Sequence, residues 1–374
     1  LKLKKLKMTK PLRIGIDIRD LQIARTGTKT YLEELCIIFK NLKDDKYEFF
    51  FFDTLIPIYS GNNKIFKMFG HFRYQFWKQI SLPVKATLNQ IDILFCTDNV
   101  VPYLHFGYKT VPVFHDAFFF ETPEHFNKLW LKLIIGTAIP GAKRSPIVIT
   151  PSIFAREQIH KYTQIPIEKM PVIYEGPKSL HIVEKKESLV KGKYILHVGI
   201  MNKRKNIPAL IKAFKKIKAN NNPDLRLVLV GKIERKQFSD DYNEIHRTVE
   251  DSGFKNDIIF TGYLSDEDLA GLYRSALMYV FPSLNEGFGI PVLEAFQYKL
   301  PVLVSNNTSL PEVGGNAVLT FNPFDFNDIA EKIQMVLQDE GLRKDLINKG
   351  IERLKYFSWE KAAQSLLSEF EKIR

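Results

Sequence analysis

Residues 285–296, NEGFGIPVLEAF, set two carboxylates, Glu286 and Glu294, on either side of a Gly-Phe-Gly turn and a proline. Pro291 suits the first turn of a helix, where its missing N–H costs nothing. Glu286 then lies in the loop before that helix and Glu294 about one turn into it, so both can line a single pocket. Gly287 and Gly289 allow the amides of the turn to point inward. Acids do not bind phosphate, but they accept hydrogen bonds from hydroxyls, whereas amides donate to an oxyanion. A sugar joined to a nucleoside diphosphate has hydroxyls at both ends and phosphates between, and it suits that arrangement.

Four further stretches could serve the same ligand. In VGIMNKRKNIPALI, Gly199 ends a strand and Arg204 and Lys205 lie just before a helix. Adjacent cations there suit a diphosphate as charge-assisted donors; the plain alternative is two solvated charges. In RDLQIARTGTKTYLEEL, Gly27 precedes a helix running from about Thr30. A glycine at that point lets backbone approach a phosphate at a helix N-terminus, although an ordinary loop glycine needs no such reason. His115 and Asp116 follow the strand TVPVF, where a histidine is either a packed core residue or a group facing a cleft. SNNTSLPEVGG (305–315) offers Ser, Asn and Thr side chains to a ligand, or Asx-turn capping to a short helix.

These loops need a scaffold that brings them to one edge. The C-terminal half alternates strand and helix through YILHVG (194–199), PALIKAFKKI (208–217), RLVLVG (226–231), DIIFTG (257–262) and SDEDLAGLYRSA, which Ser265 caps. The alternation continues through LMYVFPS (277–283), PVLEAFQY (291–298), LPVLVSN (300–306) and AVLTFNP (317–323). Uninterrupted apolar strands between helices indicate a parallel sheet covered on both faces. The N-terminal half repeats the pattern less cleanly, with strands expected at 12–18, 47–53, 92–97, 110–116 and 146–152. A polar stretch at 176–192 reads as a linker, and the closing FSWEKAAQSLLSEFEKIR is an amphipathic helix. The expected class is α/β, with two doubly wound parallel-sheet domains. Such sheets bind ligands at the C-terminal ends of their strands, so two of them face one cleft.

Composition narrows the function. A chain of 374 residues, 45% hydrophobic and 26% charged, is globular and long enough for two cores. Its two cysteines, Cys36 and Cys96, cannot build a disulfide framework or a Cys-rich metal site, and they suggest a reducing, cytoplasmic compartment. The N-terminal LKLKKLKMTK lacks the apolar stretch of a signal peptide. Segment 129–142 is too short for a membrane span and is broken by Lys132, Gly136 and Pro140. The net charge of +12 points to a phosphate-bearing partner or to a solvated lysine-rich surface. Residues 66–85, FKMFGHFRYQFWKQISLPVK, interleave aromatics with Lys67, Arg73, Lys78 and Lys85. Such a helix can lie on an anionic membrane surface, peripheral at the inner face of the plasma membrane. The simpler expectation is that Phe69, Phe72, Phe76 and Ile80 pack into the protein's own core.

Other classes fit less well. A dinucleotide-dependent oxidoreductase would show G-x-G-x-x-G after a strand, and no segment does. A glycoside hydrolase could use Glu286 and Glu294 as its acid pair, but Arg204 and Lys205 would then have no task. A basic nucleic-acid-binding protein would account for the charge, yet the chain carries no nucleic-acid motif, and no nucleic acid is expected as a partner.

VFPSLNEGFGIPVLEAF, SNNTSLPEV, HVGIMNKRKN and FTGYLSDEDLAGLY together resemble family 4 of the retaining glycosyltransferases, the glycosyl transferases group 1, and within it the mannosyltransferases. RIGIDIRDLQIARTGTKTYLEEL, VPVFHDAFFFETPEHF, VITPSIFAREQI and FSWEKAAQSLL extend the resemblance over nearly the whole chain. It implies the GT-B architecture, two Rossmann-like domains facing each other across a cleft. Residues 1–180 would be the acceptor-side domain, 181–355 the nucleotide-sugar-binding domain, and 356–374 a helix crossing back to the first. It also implies transfer of a sugar from a nucleotide sugar, GDP-mannose by preference, to a glycan or lipid-linked acceptor in surface-polysaccharide biosynthesis. No metal or other cofactor is expected.

By the same resemblance, Glu294 would hold the donor's ribose and Glu286 the transferred sugar. Arg204 and Lys205 would neutralise the leaving diphosphate, and His115 would sit beside the reacting sugar. Gly27, Gly199, Gly287, Phe288, Gly289 and Ile290 would contact the donor. Ile200 departs from the family's usual arginine, and Arg204 would carry the equivalent charge. A non-hydrolysing nucleotide-sugar epimerase shares the fold and is the nearest enzymatic alternative.

Overall fold

The computed structural model describes residues 10–22, 27–54, 64–121, 123, 128–180, 186–220, 222–233 and 241–374. The basic N-terminal stretch 1–9 lies outside them. The first half runs β1 (Leu12–Asp17), α1 (Gly27–Asn41), β2 (Tyr47–Phe52), α2 (Lys64–Phe76), α3 (Leu82–Leu88), β3 (Ile93–Cys96), β4 (Lys109–Pro112), α4 (Phe118–Glu121), α5 (Lys128–Arg144) and α6 (Ile153–Thr163). Its four strands form a parallel sheet in the order β2-β1-β3-β4. Beyond β4, among the described residues, the sheet continues as isolated parallel bridges, Val113 with Ile149 and Thr150 with Val172. The strands expected at 110–116 and 146–152 are therefore shorter than their apolar runs. Pro112, Pro146 and Pro151 interrupt them, and a proline offers no N–H to a ladder.

The second half runs β5 (Tyr194–Val198), α7 (Ile207–Ala219), β6 (Arg226–Val230), α8 (Asp241–Ser252), β7 (Ile258–Gly262), α9 (Asp266–Ser275), β8 (Met278–Phe281), α10 (Ile290–Gln297), β9 (Val302–Ser305), α11 (Leu310–Gly314), β10 (Val318–Phe321), α12 (Phe326–Gln338), α13 (Glu340–Leu354) and α14 (Trp359–Lys372). Its parallel sheet has the order β10-β9-β8-β5-β6-β7. Leu196, Leu227, Val280 and Leu303 are fully buried, as continuous apolar strands covered on both faces must be. The strand order reverses between β5 and β8 here, and between β1 and β3 in the first sheet. Ligands of open α/β sheets bind outside the strand ends at such a reversal. The loops after β5 and β8 are the ones that carry Gly199–Lys205 and Glu286–Gly289.

α14 lies on α1 in the first half. Phe370 meets Phe95 edge-on at 5.5 Å, and Tyr47 O–H donates to Glu371 Oε1 at 2.5 Å. Trp359 stands edge-on to Tyr31 at 5.6 Å and donates its indole N–H to Pro177 O at 2.8 Å. Gly176 is packed so tightly there that a Cβ would come within 2.7 Å of the Trp359 backbone nitrogen. The crossing segment, the last helix and α1 are thus clamped together.

α2, a π-helical turn at 77–81 and α3 follow one another without a break. Phe69, Phe72, Phe76 and Ile80 are exposed, which overturns the expectation that they fill the core. Polar anchors set the helix's rotation instead. The Lys78 ammonium is buried 2.6 Å from Asp17 Oδ2, and Trp77 N–H donates to Asp17 Oδ1 at 3.1 Å. Burial opposes the Lys78 charge, but Asp17 and Asp98 outweigh it and hold its pKa well above the usual lysine value. Among the described residues no helix is long and apolar enough to cross a membrane.

Candidate active site

After β8 the chain passes Pro282 and the buried Ser283, then turns through Leu284–Gly289 into α10. Leu284 N–H donates to Arg204 O at 2.7 Å, which ties this turn to the loop after β5. Ser309 Oγ lies 2.9 Å from both Glu286 O and Phe288 O, and Asn307 Nδ2 donates to Leu284 O at 3.0 Å. The Asn307 and Ser309 side chains therefore hold the turn by its carbonyls. Gly289, immediately before α10, has φ of 109°, a left-handed conformation that favours glycine.

The turn carries a buried ion pair. Lys205 Nζ lies 2.5 Å from Glu286 Oε1, and both side chains are about nine-tenths covered. Burial opposes the charge on Glu286, yet Lys205 and Arg204 outweigh it and hold the carboxyl below its ordinary range. For Lys205 burial prevails over Glu286, and its pKa falls below the usual lysine value. A Cβ on Gly199 would stand 3.3 Å from Lys205 Cε, so that glycine makes room for the lysine stem. His197 lies beneath, donating Nδ1–H to Val280 O at 3.0 Å; burial depresses its pKa to about 4 and keeps it neutral. Glu294 receives the Tyr273 O–H at 2.7 Å. Burial, only partly offset by that bond and by Lys178, raises the Glu294 pKa to about 7.

The first domain closes on this turn. His115 O is so near Gly287 that a Cβ there would lie 1.9 Å from it. Ser152 Oγ donates to Gly287 O at 2.5 Å. Glu312 accepts the Ile153 and Phe154 amides at 2.8 and 3.1 Å, capping α6 from the other domain. Arg204 Nη1 lies 3.5 Å from Asp116 Oδ2, with its guanidinium 5.1 Å from the Phe118 ring centre. Gly27 opens α1 and faces Ile290 at the start of α10, where a Cβ would be 3.6 Å from Ile290 Cδ1. Two helix N-termini, one from each domain, so meet at the cleft, and each carries partial positive charge.

His115 has both ring nitrogens engaged by protein. Nε2 is 2.9 Å from Thr97 O and Nδ1 is 3.5 Å from Glu175 Oε1. Burial would lower its pKa, but the Glu175 carboxylate outweighs burial and raises it.

Residues 181–353 match the family described as Glycosyl transferases group 1. O-antigen chain mannosyltransferase B of Escherichia coli is 31% identical over 272 residues, 70% of this chain and 70% of that protein. The chain belongs to the glycosyl transferases group 1 family. A second relative of this transferase, the E. coli serotype-specific mannosyltransferase WbdA, is 30% identical over 73% of the chain, which spans 34% of WbdA. Among solved structures, sucrose-phosphate synthase from Thermosynechococcus elongatus superposes with a TM-score of 0.72 at 17% identity, over 96% of this chain and 98% of that one. Anabaena HepE in complex with UDP and glucose gives 0.69 at 16% identity, over 96% and 100%. The transferase has the GT-B fold.

Of the transferase residues singled out from sequence, Glu286, Lys205, Gly199, Gly287, Phe288, Gly289 and Ile290 share the edge beyond β5 and β8. Gly27 and His115 face them from the first domain, Arg204 bridges to it, and Glu294 lies in α10 against Tyr273. Sequence reading missed Glu175, because it sits in a polar-looking segment and only its burial marks it. Asp116 was visible beside His115, but nothing in the sequence assigned it to Arg204. Asp17, Cys96 and Asp98 have metal-ligand spacing among the described residues. The Lys78 ammonium occupies that spot, salt-bridged to both carboxylates.

Proposed function

We propose that the transferase moves a mannosyl residue from GDP-mannose to a growing surface polysaccharide, with retention at the anomeric carbon. One observation carries this reading: the loops at the strand-order reversal hold the Glu286–Lys205 pair, with Glu294 further along α10 and the N-termini of α1 and α10 meeting beside them. Hydroxyl acceptors thus flank donors for phosphate. The relatives named as mannosyltransferases support mannose as the transferred sugar, and HepE, solved with UDP and glucose, supports a nucleotide and a sugar as ligands of this fold.

In this reading Glu286, kept ionised by Lys205 and Arg204, accepts hydroxyls of the transferred sugar and fixes its orientation. Lys205, Arg204 and the helix-end amides oppose the charge that develops on the departing diphosphate. The departing oxygen takes the acceptor's proton on the same face, so the sugar changes partner without a covalent enzyme intermediate. Glu294 meets the ribose, whose hydroxyls favour its ionised form. His115, held at both nitrogens, orients the loop whose carbonyl lies against Gly287. The cations and amides supply the positive potential without a bound metal. The acceptor is a lipid-linked glycan presented at the inner membrane face, with the transferase peripheral to it.

Thermal-shift titration with GDP, UDP, ADP and their sugars tests the donor, because a ligand bound only by the folded state raises the melting temperature. GDP and GDP-mannose should give the largest shifts, and mannose should appear on the acceptor by mass spectrometry. A larger response to a UDP- or ADP-sugar would overturn the donor assignment.

A further inference from the structure

Two faces of the 64–88 helical segment differ sharply. Trp77, Lys78, Leu82 and Ala86 are buried against the first sheet, whereas Phe69, Phe72, Phe76, Ile80, Val84 and Leu88 are 49–76% exposed. The exposed six recur every three or four residues, so they form one stripe along the helix. The loop holding Tyr103, Leu104 and Phe106, all exposed, is pinned alongside by Tyr103 N–H donating to Gln79 Oε1 at 2.7 Å. Large contiguous apolar patches on a protein surface mark interaction sites.

Charge identifies the occupant. The helical segment 64–88, the 103–106 loop and α5 contain nine lysines and arginines and no aspartate or glutamate; one of the nine, Lys78, is buried between Asp17 and Asp98. In α5, Lys132 and Lys143 are exposed. Arg144 at its end lies 3.6 Å over the Tyr103 ring. A protein partner would be met by both signs of charge; an apolar stripe on elements that carry cations and no acids matches an anionic bilayer, with rings in the interface and cations against headgroups. We infer that the stripe from Phe69 to Leu88, with the 103–106 loop, docks the first domain onto an anionic lipid surface.

Docking would also place the cleft. On the helix's inner side Trp77 and Lys78 reach Asp17 at the end of β1, beside the first sheet's strand-order reversal. One helix diameter, about 10–12 Å, would then separate the headgroups from the cleft edge. That last consequence rests on the transferase reading; the docking face does not.

The test is flotation of the full chain with vesicles of phosphatidylcholine alone or enriched in phosphatidylglycerol. Binding should require phosphatidylglycerol and weaken with salt. Phe72→Ser combined with Phe76→Ser should reduce it ~100-fold, about tenfold for each ring removed. The melting temperature and its shift with GDP-mannose should stay unchanged, since neither ring belongs to the cleft. Flotation that ignores lipid charge, or survives the double substitution, overturns the assignment. So does a dimer, seen by light scattering, that the same substitutions dissolve. Failure to float alongside intact transfer would remove the docking face alone, and flotation without transfer would count only against the proposed function.

Discussion

Gly287→Ala is the sharpest probe of the closed cleft. Gly287 needs no unusual backbone, because its φ is not among the positive values; what it provides is space. An alanine methyl would fall 1.9 Å from His115 O, 3.0 Å from His115 C and 3.1 Å from Asp116 Cβ. A carbon and a carbonyl oxygen need about 3.3 Å, so the two loops must separate by roughly 1.4 Å. Both sides are backbone, and no side-chain rotation relieves the clash. The Ser152–Gly287 hydrogen bond and the Arg204–Asp116 contact span the same gap. Glu286, the preceding residue, would move with the turn. Misplacement by 1 Å can cost ~10²-fold in rate, so kcat should fall about 100-fold. No hydrophobic core is cut, so the melting temperature should change by only a few degrees. Gly27→Ala is the comparison, since its methyl would make an ordinary 3.6 Å contact with Ile290. Initial rates at saturating donor, with melting curves of both variants, decide the matter. A Gly287→Ala enzyme that turns over like wild type would refute the view that this contact is needed for transfer.

Glu294→Gln should act in opposite directions on stability and binding. Burial raises the Glu294 pKa from 4.5 to about 7, so its neutral form stabilises the fold below pH 4.5 and that advantage is lost as pH rises through 7. The glutamine variant should then gain up to ~3 kcal/mol over wild type at pH 8 and little at pH 4.5, while calorimetry shows weaker GDP binding. Glu286→Gln should leave GDP affinity nearly intact and cut turnover, because it meets the sugar and not the nucleotide; equal loss of GDP binding in both glutamate variants would contradict that division. Glu175→Gln removes the partner that raises the His115 pKa. Stability from that pair is present below pH 6.5 and lost as pH rises through the raised value, so the variant should lose more stability at pH 6 than at pH 9. A melting-temperature difference that does not vary with pH would argue against the pair.

Local sequence determined much of this. The runs YILHVG, RLVLVG and LMYVFPS are apolar without alternation, and that pattern alone requires strands buried on both faces. Pro291 and Gly289 mark where α10 begins, so the spacing of Glu286 and Glu294 already implied one carboxylate in a loop and one in a helix. The family could be read from the same stretches, because short loops beside ligands tolerate few residue types.

Tertiary structure decided the rest. Which cation meets which carboxylate was open in sequence; the fold gives Lys205 to Glu286 and Arg204 to Asp116 across the cleft. The need for glycine at 287 comes from a carbonyl 172 positions earlier in the chain. The rotation of α2 was misjudged because its apolar face suggested a core, whereas buried polar anchors at 77 and 78 turned that face to solvent. Glu175 stands just ahead of the polar stretch at 176–192, and only its burial beside His115 gives it a task. Local sequence specifies backbone preference and periodicity, which act over a few residues. Electrostatic pairing, steric exclusion and burial depend on distances between segments far apart in the chain, and only the assembled fold sets those.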